Sequence, residues 1–114
     1  MRESVALGDL NISFERRGAG LPFIWGHGLT SSMDLEGELL NFDWAAIESH
    51  TELVRYDARG HGTSTLTSNL DHYSWANLAQ DQLAFADALG IDRFISGGAS
   101  MGAATALHVA VSAP

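Results

Sequence analysis

The stretch Gly98-Ala99-Ser100-Met101-Gly102 constrains this chain more than any other. Arg93 to Gly97, just before it, is a short apolar run that predicts a buried strand. Met101 to Ala113, just after it, reads as a helix stopped by Pro114. A serine held between the two sits in a sharp strand-to-helix turn, with its hydroxyl pushed out at the end of a sheet. Glycines at 98 and 102 suit such a turn, because a side chain at either would collide with the neighbouring strand or helix. The N–H of Met101 then lies at a helix N-terminus, where it can donate to a developing negative charge.

Two further motifs share that logic. Trp25-Gly26-His27-Gly28-Leu29 follows the apolar run Leu21 to Trp25, and leaves the N–H of Leu29 facing the same end of the sheet as Ser100. Asp57-Ala58-Arg59-Gly60-His61-Gly62-Thr63-Ser64 follows the strand-like Glu52 to Tyr56. A strand ending in H-G, a strand ending in D-x-R-G-H-G-x-S and then the G-x-S-x-G elbow, in this order, resemble the α/β-hydrolase family. The resemblance runs along the whole chain and covers the first half of that family's domain. It implies an N-terminal half of an α/β-hydrolase fold over residues 1–114, an antiparallel hairpin leading into a mostly parallel sheet of five strands with flanking helices. It also implies Ser100 as nucleophile, Leu29 and Met101 as oxyanion donors, and Gly98, Gly102, His27 and Gly28 as the structure of elbow and loop.

The remaining elements fit that plan. Val5 and Leu7, then Leu10, Ile12 and Phe14, alternate with polar residues around Gly8-Asp9, which predicts a hairpin with a two-residue turn. Arg16 to Gly20 reads as a turn, and Leu21 to Trp25 as a buried strand. Ser32 to Ile47 is expected to be mixed, with helical stretches interrupted by Gly37. Ser74 is a suitable N-cap for a helix from Trp75 to Leu89, stopped by Gly90, with Leu78, Leu83, Phe85, Ala86 and Leu89 as its apolar face. In the last helix Thr105, His108 and Ser112 form one narrow polar stripe, so the helix is expected to be buried over most of its surface.

Size and charge exclude several function classes. At 114 residues, 46% of them hydrophobic, the chain has enough apolar side chains for one core. Six Lys and Arg against fourteen Asp and Glu give a net charge of −8, which disfavours nucleic acid and anionic membrane as partners. The absence of cysteine removes disulfides, thiolate nucleophiles and zinc-thiolate sites. Charges at Arg2, Glu3, Asp9, Glu15, Arg16 and Arg17 leave no signal-peptide core, and no apolar run reaches membrane-spanning length, so a cytoplasmic location is expected. No residue cluster has metal-ligand spacing, and no cofactor is expected.

Other polar residues have structural readings. His27 is expected to brace the oxyanion loop, Arg59 and His61 to fix the loop after the fourth strand, and Asp57 to cap a turn. His50 and His72 fall in loops, and His108 is too far along its helix to reach the Ser100 hydroxyl. Asp34, Glu36, Glu38, Asp81 and Asp87 read as solvated faces. In the order the resemblance implies, an acid and a histidine follow the serine. Only fourteen residues follow Ser100, and His108 is the sole histidine among them. The chain is therefore expected to need a missing C-terminal half or a complementing chain, and to self-associate when alone. The implied activity is hydrolysis of carboxylic esters or lactones through an acyl-enzyme; serine rather than aspartate at the elbow argues against epoxide hydrolases and haloalkane dehalogenases. The alternative is a non-catalytic relative that binds a ligand or partner.

Overall fold

A computed structural model describes residues 2–38, 42–66 and 70–114, apart from the side chains at 38, 70 and 71, so the expectation for Glu38 falls outside the described residues. Strands β1 (Glu3–Leu7) and β2 (Leu10–Gly18) pair antiparallel with Leu7 opposite Leu10, which leaves Gly8 and Asp9 as the turn. Gly8 has φ of 65°, the left-handed conformation that tight hairpins demand. β2 runs on through Arg16–Gly18, where a turn was expected. Those residues pair antiparallel with Val54–Glu52 of β4 (Glu52–Tyr56), and the Arg16 guanidinium forks onto the Glu52 carboxylate at 2.9 and 3.2 Å. Their charge suggested a loop; a cross-strand ion pair makes them strand instead.

β3 (Pro22–Gly26) lies parallel to β4 on one side and to β5 (Ile95–Gly98) on the other. The sheet order is β1-β2-β4-β3-β5, a mixed sheet with helices on both faces. Alternation along each strand divides the side chains. Ile12, Phe14, Ile24, Val54 and Tyr56 point to one face, where α3 (Trp75–Ala88) and α4 (Met101–Ser112) cover them with Leu78, Phe85, Ala86 and Met101. Phe85, fully buried, meets Phe14 edge-on at 5.3 Å and Tyr56 at 5.1 Å. On the other face Trp25 packs on Phe42 and on Trp44 of α2 (Trp44–Glu48), and α1 (Met33–Glu38) precedes them. Gly37 lies inside α1 and does not interrupt it.

α3 begins and ends on the expected signals. The Ser74 hydroxyl accepts from the Asn77 N–H, and the C-terminus closes when the Ile91 N–H donates to Ala86 O and the Gly90 N–H to Asp87 O. Gln82 on its buried face is a surprise. Its amide donates to the Tyr56 hydroxyl at 2.8 Å and accepts from Ser96 Oγ, which ties α3 to β4 and β5. Burial pushes the Tyr56 phenol up to about 12, so it stays neutral in this network.

Read by itself, the apolar run Arg93 to Gly97 predicts a buried strand, while the half-domain reading puts that strand at the cut edge of the sheet. The edge is what is found: the one partner of β5 among the described residues is β3, and Ile95 is exposed. The expectation for α4 needs correction. α4 does not present Thr105, His108 and Ser112 as one solvent stripe. The face at Met101, Gly102, Thr105 and Val109 is the buried one, as a four-residue spacing requires. Thr105 tolerates burial because its hydroxyl donates to Met101 O at 3.0 Å within its own helix. Leu107 and Val111 are 71% and 83% exposed, so the helix is not covered over most of its surface.

Phe85→Ala is expected to cost about 3–5 kcal/mol by opening a cavity between helix and sheet. Val111→Ala is expected to stay within about 0.5 kcal/mol. Urea unfolding midpoints of the two variants check this contrast, and equal shifts would contradict the assignment of core and surface.

Candidate active site

β3, β4 and β5 run parallel and end at Gly26, Tyr56 and Gly98, so the three motif loops emerge together at one end of the sheet. The elbow is built without side chains at its narrowest point. A Cβ on Gly102 would lie 1.9 Å from Gly26 O, and one on Gly98 would lie 2.5 Å from the same oxygen. α4 can therefore start directly against β3 and β5. The Ala99 N–H donates to Gly26 O at 3.1 Å and the Gly102 N–H donates to Ala99 O at 2.9 Å, closing the turn.

Ser100 caps this turn with φ of 53° and ψ of −109°. A non-glycine residue in that region is strained, and such strain persists only where the surroundings impose it. Ser100 stands at the N-cap of α4 yet makes no side-chain cap hydrogen bond. Its hydroxyl is exposed and uncommitted among the described residues. Gly28 is its neighbour across the site: a Cβ there would be 3.7 Å from Ser100 Cβ. The N–H groups of Leu29 and Met101 engage no acceptor among the described residues. An exposed hydroxyl thus precedes a free N–H at the head of a twelve-residue helix, beside the loop that carries Leu29.

The loop carrying Leu29 is tied down by two imidazoles in reciprocal fashion. His27, 1% exposed, accepts from the Ala58 N–H through Nε2 at 2.9 Å, so its proton is on Nδ1, which donates to Gly28 O at 2.8 Å. His61 answers from the opposite loop: Nε2 accepts from the Thr30 N–H at 3.3 Å, and Nδ1 donates to Arg59 O at 2.9 Å. The two rings lie 4.9 Å apart. With both nitrogens of each ring engaged, neither is free to act as a base toward Ser100.

The carboxylates behave less uniformly than their sequence reading. Asp57 is buried, accepting from the Met33 N–H at 2.9 Å and the Thr63 N–H at 3.0 Å; it joins the start of α1 to its own loop. Gly62 must be glycine there, with φ of 52° and space for a Cβ only 2.1 Å from Asp57 Oδ2. Asp34 and Asp87 are exposed as expected. Asp81 and Glu36 are not. Asp81 holds the Arg59 guanidinium in a two-pronged ion pair at 2.9 Å, mostly sheltered from solvent. Glu36 is buried beside the loop after β3, where Oε1 accepts from Trp25 Nε1 at 2.9 Å and Oε2 from the Gly28 N–H at 3.1 Å. Both partners lie far off in sequence, which is why a helical charge pattern gave no sign of them.

The other histidines stand apart. His50 is exposed before β4, at the far end of the sheet, and His108 is exposed on α4. His72 lies in the 3-10 turn Leu70–Tyr73, lining a hollow with Arg59, Gln80 and Asp81. Among the described residues no group of His, Asp and Glu could hold a metal ion, and no helix is long and apolar enough to cross a membrane.

Sheet order and strand-end loops define a class: a hydrolase-type α/β sheet with its motif loops gathered at the carboxyl ends of the strands. The chain belongs to the alpha/beta hydrolase fold family, whose model matches residues 22–114. Among curated relatives, 3-oxoadipate enol-lactonase 1 of Acinetobacter baylyi is 40% identical over 67 residues, 59% of this chain and 24% of the relative. E-2-(acetamidomethylene)succinate hydrolase superposes with a TM-score of 0.86 at 23% identity, over 100% of this chain and 40% of that one. A hydrolase from Pseudomonas aeruginosa PA01 gives 0.85 at 26% identity, over 99% of this chain and 42% of that one. The chain spans about two fifths of the length of these solved structures.

Burial holds the His27 pKa below the usual imidazole value, with a smaller push from His61, against an opposing pull from its bond to Gly28 O. The unfolded imidazole protonates below about pH 6.5. The neutral ring's contribution to stability is thus complete above that pH and is lost as pH falls toward the lower folded value. Urea midpoints between pH 8 and pH 5 should fall toward acid, and His27→Gln should flatten that slope. An unchanged slope in the variant would contradict a buried neutral His27.

Proposed function

We propose that this chain supplies the nucleophile and oxyanion hole of a serine hydrolase acting on carboxylic esters or lactones of small molecules. The observation that carries the reading is Ser100: strained, exposed and uncapped, at the head of α4 and beside Gly28 of the loop that leads to Leu29. In the reaction Ser100 Oγ attacks the substrate carbonyl carbon while its proton passes to an imidazole. The carbonyl oxygen becomes an oxyanion held by the two N–H groups, whose value lies in being fixed before charge develops. Collapse expels the alcohol, or opens the lactone ring, and leaves an acyl-enzyme that water then cleaves. The enol-lactonase relative, 40% identical over the shared segment, supports lactones and esters as the substrate class.

The imidazole and its orienting acid come, in this reading, from outside these residues. His27 and His61 are spent on backbone groups, and His50 and His108 stand away from Ser100. The unaccompanied edge at β5 and the exposed Leu107 and Val111 suit a complementing segment or a second chain, and self-association in its absence. The same edge favours the second reading, a relative that acts by binding a partner.

Fluorophosphonate labelling separates the two. Ser100 should be labelled slowly in the chain alone and quickly with the complement, and Ser100→Ala should abolish labelling. Turnover of nitrophenyl acetate by the chain alone should lie about a millionfold below that of a complete triad. Ordinary enzyme rates from the chain alone, lost in Ser100→Ala, would overturn the external base. Labelling that survives Ser100→Ala would remove the serine from its role.

A further inference from the structure

Glu36 is a buried carboxylate with no part in the chemistry just described, and its surroundings are unusual. Both oxygens are used, each by a different donor: Oε1 by the Trp25 indole N–H at 2.9 Å, Oε2 by the Gly28 backbone N–H at 3.1 Å. The position where a Gly28 side chain would begin lies 3.9 Å from Glu36 Oε2 and 3.7 Å from Ser100 Cβ. Gly28 is therefore clamped between the carboxylate and the elbow. The Gly28 carbonyl, which shares its peptide plane with the Leu29 N–H, is held in turn by His27 Nδ1 at 2.8 Å and the Ser31 N–H at 3.1 Å, so Gly28 is fixed on both its amide and its carbonyl side and the Leu29 N–H points away from that carbonyl.

A buried negative charge this close to an oxyanion site is costly unless it is compensated. The two N–H donors on its oxygens, from Trp25 and Gly28, supply that compensation. The backbone carbonyl of Glu36 is held separately, by Trp44 Nε1 at 3.3 Å, and the Arg55 guanidinium stacks 4.0 Å over that Trp44 ring. Burial lowers the Arg55 pKa, and the charges of Glu15 and Glu36 pull it back up. A hydrophobic filler would not need this arrangement.

We propose that Glu36 is a positioning residue for the oxyanion loop: it holds the Gly28 N–H inward and the Trp25 indole beside it, so that the Leu29 N–H alone is left to face Ser100. This rests on the serine-hydrolase reading only for its consequence, since the clamp itself is a feature of the fold. The chemistry sets a strict demand. Two N–H donors converge on one side chain, and glutamine can offer an acceptor to one of them while its NH2 opposes the other. A space-filling role would accept glutamine; a double acceptor cannot.

The test compares fluorophosphonate labelling rates at Ser100 in the chain and in Glu36→Gln, Trp25→Phe and the double variant, with Ser100→Ala as blank. Glu36→Gln should slow labelling about ten- to a hundredfold, less than removing an oxyanion donor outright. Trp25→Phe removes the second donor, so the double variant should recover to within about threefold of Trp25→Phe alone, as expected for two groups that interact directly. Equal rates for Glu36→Gln and the unaltered chain, or no recovery in the double variant, would overturn the clamp. Amide exchange in the unaltered chain tests it without any substitution or activity. Gly28 N–H should exchange about a hundredfold or more slower than Leu29 N–H. Comparable exchange at both would overturn the proposal, whereas failure of Ser100 to label at all would count against the nucleophile alone.

Discussion

The contact between Gly102 and the carbonyl of Gly26 governs the geometry of this molecule. A methyl group at 102 would lie 1.9 Å from that oxygen, so helix α4 and strands β3 and β5 meet at a distance open only to bare backbone. This close approach forces the chain to turn within two residues after Gly98, and Ser100 absorbs the turn at φ of 53°. It also brings Gly28 to the side of Ser100, because β3 continues straight into the His27-Gly28 loop. Elbow, helix head and loop are thus consequences of one packing constraint. A site built on strand ends held in this way is stiffer than one built on free loops.

Beneath that contact the loops are held by polar groups rather than by apolar packing. His27, Asp57 and Glu36 are all buried, and each accepts from backbone N–H groups of a neighbouring segment: Ala58, Met33 with Thr63, and Gly28. Loops lack the regular ladders of helices and strands, so their amides need other acceptors. Side chains with fixed acceptor positions meet that need and also fix peptide orientation. Among the described residues the arrangement leaves the N–H groups of Leu29 and Met101 without an acceptor.

Much of this was legible in the sequence, and the pattern of what was not is physical. The hairpin, β3, β4, α3 with its Ser74 cap and the serine turn all carry local signals: alternation, capping residues, obligatory glycines. The Gly98 and Gly102 reading was steric, and steric arguments survive the step to three dimensions. Most of the misreadings concern partners on other elements. Arg16 to Gly18 looked like a turn because the ion pair with Glu52 is not local. Glu36 and Asp81 looked solvated because indole, amide and guanidinium partners are contributed by other elements. Thr105 looked exposed because residue type hid a hydroxyl that satisfies itself on its own helix. Taken alone, the apolar run of β5 suggested burial, because such residues report what a strand can pack against; its edge position followed only from the strand order that the family resemblance implied.

The central claim is that the Leu29 and Met101 N–H groups converge on the point where charge develops during attack by Ser100. A crystal structure of the phosphonylated chain measures this directly. The account expects one covalent adduct, on Ser100 Oγ, with its phosphoryl oxygen about 2.7–3.1 Å from both nitrogens. A phosphoryl oxygen turned to solvent, or bonded to other donors while the adduct sits on Ser100, would contradict it.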